Sequence, residues 1–173
     1  MKKFLNGILI AIFFMALQGC RSVDNERIPS MPVYISLSDT GLWNTYGVYG
    51  FGNSRRFIIS TNIREPYGFP YSSQSATGFG GVLLICGLDT YTGITDAPLA
   101  YDLGCPVERD PNVRVQVESE LYRAVCPVCG SVYDVTLGSG APLSGPAATG
   151  KYRYALKKYS CYPSGYGGYL ITN

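Results

Sequence analysis

Val113, Val115 and Val117 alternate with Arg114, Gln116 and Glu118. A period of two puts the valines on one face of an extended chain and the polar residues on the other, as in a strand with one buried side. Elsewhere the apolar residues come in short runs, with no stripe at helical spacing, and 21 Gly, 11 Pro and 15 Tyr punctuate them. Such a chain folds as all-β. Strands are expected at 33–37, 56–60, 82–86, 113–118, 121–125, 131–135, 152–157 and 169–172, with 163–168 as a turn-rich hairpin connection. Residues 41–52 and 66–81, rich in Gly and Tyr, read as long surface loops. Gly47, Gly50 and Gly52 lack the strand-to-helix context of a phosphate-binding loop and read as turn residues.

The chain opens with Lys2 and Lys3 before an apolar run from Phe4 to Leu17, which has the form of a signal peptide and is short for a membrane span. Its end, Leu17-Gln18-Gly19-Cys20, resembles the lipobox of bacterial lipoproteins. That resemblance implies removal of residues 1–19, lipidation of Cys20 and an anchor of more than one acyl chain, which binds a bilayer stably. The expected location is the cell envelope, periplasmic or surface-facing, with the outer membrane favoured. Residues 20–32 are polar and read as a tether, and 33–173 as one domain, a length that can bury a substantial core.

The chain contains no histidine. Every His-dependent catalytic triad or metal site is thereby excluded. The formal charge of +2 falls to about zero once Lys2 and Lys3 are removed, and the pairs Arg55-Arg56 and Lys157-Lys158 are isolated, so nucleic acid is not an expected partner.

Beyond Cys20 the cysteines are Cys86, Cys105, Cys126, Cys129 and Cys161, an odd number for a compartment that oxidises thiols. Their context is Ala100-Tyr101-Asp102-Leu103-Gly104-Cys105-Pro106-Val107, then Cys126-Pro127-Val128-Cys129-Gly130-Ser131-Val132-Tyr133-Asp134, then Leu143-Ser144-Gly145-Pro146-Ala147. In order and spacing this succession resembles the two boxes of a Rieske domain and the Gly-Pro-Ala loop that follows them, over roughly residues 80–173. The resemblance implies an antiparallel β-sandwich or barrel-like base carrying a small two-loop subdomain, with the boxes at about 98–108 and 124–134.

A Rieske first box reads Cys-x-His-x-Gly-Cys and the second commonly Cys-Pro-x-His-Gly-Ser. The former cluster-ligand positions are therefore Ala100, Asp102, Cys126 and Cys129, and only Cys126 keeps its family identity. A 2Fe-2S cluster of this class needs two thiolates on one iron and two imidazoles on the other, and this chain has no imidazole. No cofactor is expected. The alternative is an atypical iron-sulfur or zinc centre on Cys105, Cys126, Cys129 and Asp102. The family's disulfide partner for Cys105 falls on Val128, so the resemblance implies instead a bridge from Cys105 to Cys126 or Cys129, worth about 3 kcal/mol in the chain-entropy picture. Cys126-Pro-Val-Cys129-Gly also resembles a zinc-ribbon knuckle without its second Cys-x-x-Cys, or a redox pair without its helix. Cys86 and Cys161 read as core residues or a further disulfide.

With these groups missing, the expected role is a binding or structural module, not an enzyme. Tyr- and Gly-rich loops would meet an envelope protein or carbohydrate, since tyrosine gives broad amphipathic contact. Electron transfer through the atypical centre is the alternative.

Overall fold

The computed structural model describes residues 22–118, 120–150 and 152–173; residues 1–19, expected to be a signal peptide, and Cys20 lie outside them. The described chain is 43% strand and 5% helix, and its largest sheet curls into an antiparallel half-barrel. That sheet has eight strands in the order β4-β3-β6-β7-β13-β14-β2-β5. Its members are β2 (Val33–Asp39), β3 (Ser54–Ile59), β4 (Arg64–Glu65), β5 (Ala76–Thr77), β6 (Val82–Asp89), β7 (Ile94–Asp102), β13 (Lys158–Pro163) and β14 (Gly167–Thr172). A four-stranded antiparallel sheet, β11-β10-β9-β8, holds β8 (Gln116–Glu118), β9 (Arg123–Val125), β10 (Val132–Asp134) and β11 (Pro142–Ser144). A short parallel pair joins β1 (Val23–Asp24) to β12 (Arg153–Tyr154).

The run Val82–Asp89 begins almost wholly apolar because β6 is covered on both faces. Leu83 and Ile85 enter a core with Tyr101, Leu103, Val115, Tyr133 and Leu156, while Val82, Leu84 and Cys86 enter a second core with Ile35, Leu37, Trp43, Phe57 and Ile171. Alternation along one strand thus feeds two cores, the first of which also holds the box residues Cys105, Cys126 and Ala147.

The longest strand, β7, was not among the expected strands. Asp96 takes a left-handed backbone (φ 58°), and Pro98 interrupts the run. Pro98 is tolerated because β13 pairs with β7 only at Tyr101 and Ala100 and does not reach it. The expected strand at 152–157 contracts to β12. The amides of Ala155 and Leu156 instead donate to Asp24 and Gly140, carrying the chain between sheets, and β13 begins at Lys158. The expected strand at 113–118 contracts to β8, with Arg114 bridged to Gly104.

The expected loop at 41–52 contains a helix, α1 (Thr40–Tyr46). Asp39 caps it by accepting from the Leu42 amide at 2.8 Å, and the Gly47 amide closes it on the Trp43 carbonyl at 2.7 Å. A side chain at Gly47 would run into Trp43, with its Cβ only 2.5 Å from that carbonyl oxygen. Trp43 in turn stacks tilted on Tyr169, ring centres 4.6 Å apart.

The segment read as a tether lies against the domain from Val23 onward. Besides the β1 pairing, Ile28 is fully buried, and Lys157 reaches Glu26 at 2.9 Å. Polar residues hid this contact because they serve it through salt links and backbone pairing.

Candidate metal centre

Three of the residues singled out in the sequence come together at one end of the four-stranded sheet. The sulfurs of Cys105, Cys126 and Cys129 all lie within 4.8 Å of one another. Cys105 follows β7; its amide donates to the Val113 carbonyl at 3.1 Å, and its own carbonyl accepts from the Arg109 amide at 2.9 Å, closing a tight turn. Cys126 ends β9. Its amide donates to Ser131 at 2.9 Å and its carbonyl accepts from Gly130 at 3.0 Å, so the box folds back on itself as a knuckle. Gly130 supplies the left-handed residue the turn requires, at φ 68°.

The third loop braces this knuckle. Ser131 Oγ accepts from the Ala147 amide at 3.0 Å and from Cys129 Sγ at 3.1 Å. Gly145 packs so closely that an added Cβ would sit 2.8 Å from the Ser131 Cα. Tyr133, buried on β10, places its hydroxyl 3.5 Å from Cys105 Sγ. Ser131 and Tyr133 follow Cys129 within four residues, and that closeness in sequence is the signal for their place beside the thiols.

Cys105 Sγ and Cys129 Sγ are 3.7 Å apart. A tetrahedral zinc with bonds of about 2.3 Å separates its sulfur ligands by about 3.8 Å, so this pair already has the spacing of one edge of such a site. It is well beyond the bond length of a disulfide, about 2.05 Å, and the five described cysteines are free thiols. The bridge expected from Cys105 to Cys126 or Cys129 is thus not formed. Cys105 and Cys126 are buried and Cys129 is half-buried, which opens the group on one side. Burial pushes the Cys105 thiol up to about 12, with the Tyr133 hydroxyl pulling it back in part. A bare Cys105 thiolate is therefore disfavoured, and a bound cation would favour its anionic form.

Asp102 does not join the sulfurs. Its carboxylate accepts from the amides of Phe79 and Gly80 at 2.9 Å, from Gly104 at 2.6 Å and from the Tyr159 hydroxyl at 2.5 Å. Burial raises this carboxyl from the ordinary aspartate range, and the Tyr159 hydroxyl and three amides oppose the rise. Beside it, Arg114 Nε donates to the Gly80 carbonyl at 2.6 Å. Asp102 is thus the hub that ties the 79–80 backbone to the start of the first box. Nothing local in the sequence signalled Tyr159, which reaches Asp102 from 57 residues away.

Ala100 lies in β7 opposite Leu84 and Tyr159, in the second core. It offers no donor. The four positions that the resemblance would make ligands therefore do not fit a 2Fe-2S cluster of the Rieske class: two are thiols, one is a methyl group and one is a carboxylate engaged by four donors.

Cys86 and Cys161 lie elsewhere. Cys86 is fully buried on β6 with its sulfur 3.6 Å from Asp96 Oδ1, and Cys161 sits on β13. No known protein family, curated protein or solved structure matches this chain.

Proposed function

We propose that this is an envelope lipoprotein, anchored through Cys20, whose Rieske-like domain holds one thiophilic divalent metal ion on Cys105, Cys126 and Cys129 in place of an iron-sulfur cluster. The observation that carries the reading is the convergence of three sulfurs within 4.8 Å, one pair already at the ligand spacing of a tetrahedral site.

Zinc suits this donor set better than copper(I). Three thiolates around a divalent ion leave a net charge of −1, whereas around a monovalent ion they leave −2, and a site with two of its three sulfurs buried penalises the larger charge. Among the described residues no other Cys, Asp or Glu joins the group. The fourth position would be taken from the side that Cys129 leaves open, by water or by a donor on a partner. The metal would clamp the turn after β7 to the β9–β10 knuckle and keep three neighbouring thiols from oxidation. The chain's own part is to pre-space the sulfurs, through the Ser131 link and the Tyr133 contact, and to exclude water from two of them.

The test is the metal content of the domain isolated from the envelope under mild conditions, compared with the Cys126→Ser variant. About one equivalent of zinc in the parent, lost in the variant with folding retained, supports the reading. Equal metal in both rejects it.

A second reading, as a module that binds an envelope protein or a carbohydrate, rests on Tyr67, Tyr91 and Tyr166, each more than 80% exposed. Their replacement by serine would weaken partner capture without touching metal content. Both roles can reside in one domain.

A further inference from the structure

We propose that the lipid anchor holds the domain with its cysteine tip against the membrane, so that the headgroup layer covers the loops around the metal centre. This rests on the lipoprotein reading of Cys20.

The segment that joins the anchor to the domain is clamped at the box end. In β1, Val23 pairs with Arg153 and Asp24 with Tyr154, and the Asp24 carbonyl accepts from the Ala155 amide at 2.9 Å. Arg27 donates through Nε to the carbonyl of Pro106, the residue after Cys105, at 2.7 Å, and its guanidinium lies 4.0 Å from the centre of the Tyr154 ring. Ile28 is 1% exposed. Backbone pairing, a link to the first-box loop and a buried side chain together leave this stretch no freedom to act as a flexible spacer.

Direction follows from register. The β1–β12 pair is parallel, so β1 enters from the same end as β12. In β12 the Tyr154 amide donates to the Ala147 carbonyl at 3.0 Å, and the Ala147 amide donates to Ser131 Oγ of the second box at 3.0 Å. The described chain thus starts beside the cysteine knuckle, within reach of Cys20. From Cys20 to Val23 is three residues, a reach of at most about 10 Å. The opposite end of β9 and β10 carries a groove in which Leu121, Tyr122 and Leu137 lie beside Arg123, Asp134 and Thr136. With the tip at the membrane, Leu121 and Tyr122, which precede β9, and Leu137, which follows β10, face away from it.

The experiment uses the full chain, processed in cells, in nanodiscs of phosphatidylethanolamine and phosphatidylglycerol doped with a gadolinium-chelate headgroup lipid. Amide signals are read for broadening. The expected result is strongest broadening at Val107, Val128, Gly130 and residues 145–150, and weakest at Leu121, Tyr122 and Leu137. Uniform or reversed broadening overturns the orientation. Mass spectrometry of the same sample separates the two claims: absent acylation at Cys20 overturns the lipoprotein reading and the orientation with it, whereas acylated protein with uniform broadening overturns the orientation alone. A flexible insertion between Cys20 and Val23 should flatten the pattern. An unchanged pattern would show that the short, clamped connection does not set it.

Discussion

Tyr159 donates its hydroxyl to the Asp102 carboxylate at 2.5 Å, joining β13 to the start of the first cysteine box inside the buried core. Three backbone amides share the same carboxylate. Tyr159→Phe removes one hydrogen bond to a charged group and should cost about 1.5–3 kcal/mol of stability. Asp102→Asn replaces an oxygen with a donor facing donors and should cost about 1–3 kcal/mol for each donor left unpaired. In urea unfolding, the double variant should be less destabilised than the sum of the singles, because they break one network. Additivity would show that the two residues act independently.

Gly80 allows the backbone before β6 to approach the first box. A Cβ there would sit 2.4 Å from the Gly104 amide nitrogen and 2.9 Å from Asp102 Oδ1. Gly80→Ala should therefore lower the thermal midpoint strongly, since backbone rather than a flexible side chain must give way. Ala at Gly165, where an added Cβ meets nothing within 4 Å, is the control and should change stability little.

Ile28 seals the N-terminal clasp. Ile28→Ala should destabilise the domain by about 2–5 kcal/mol, the range for truncating a buried aliphatic side chain. Protection of the Ala155 amide, which donates to Asp24, should fall with it in hydrogen exchange. Unchanged protection there would mean that β1 holds without its buried neighbour.

Burial, with Asp96 beside it, pushes the Cys86 thiol from its ordinary 9.0 up to about 11. The folded state therefore keeps this proton over a range in which the unfolded chain releases it. Its contribution to stability is complete below about pH 9 and is lost as pH rises through about 11. Denaturation midpoints should decline across that window, and Cys86→Ala, although less stable at neutral pH, should decline less steeply. An equal slope in the variant would assign the alkaline loss to other groups.

The parts legible in the sequence are those whose pattern has a local cause. The unbroken run at β6 and the Gly- and Pro-rich turn before β14 report burial on two faces and a tight reversal. The box text brought Cys105, Cys126 and Cys129 forward, and they do converge. Features set by distant contacts were hidden. Asp102 stood among the potential ligands, yet Tyr159 and the glycines at 80 and 104 engage it elsewhere. β7 was masked by Pro98, acceptable only because β13 stops short of it. The N-terminal clasp was masked by polarity, since Glu26 and Arg27 satisfy Lys157 and the Pro106 carbonyl.

The most direct test of the central claim is X-ray absorption at the zinc edge on the zinc-loaded domain. Three sulfur neighbours at about 2.3 Å and one lighter atom should complete a tetrahedral shell, falling to two sulfurs in Cys105→Ser. A shell of nitrogen and oxygen alone, or a sulfur count that Cys105→Ser leaves unchanged, would contradict it.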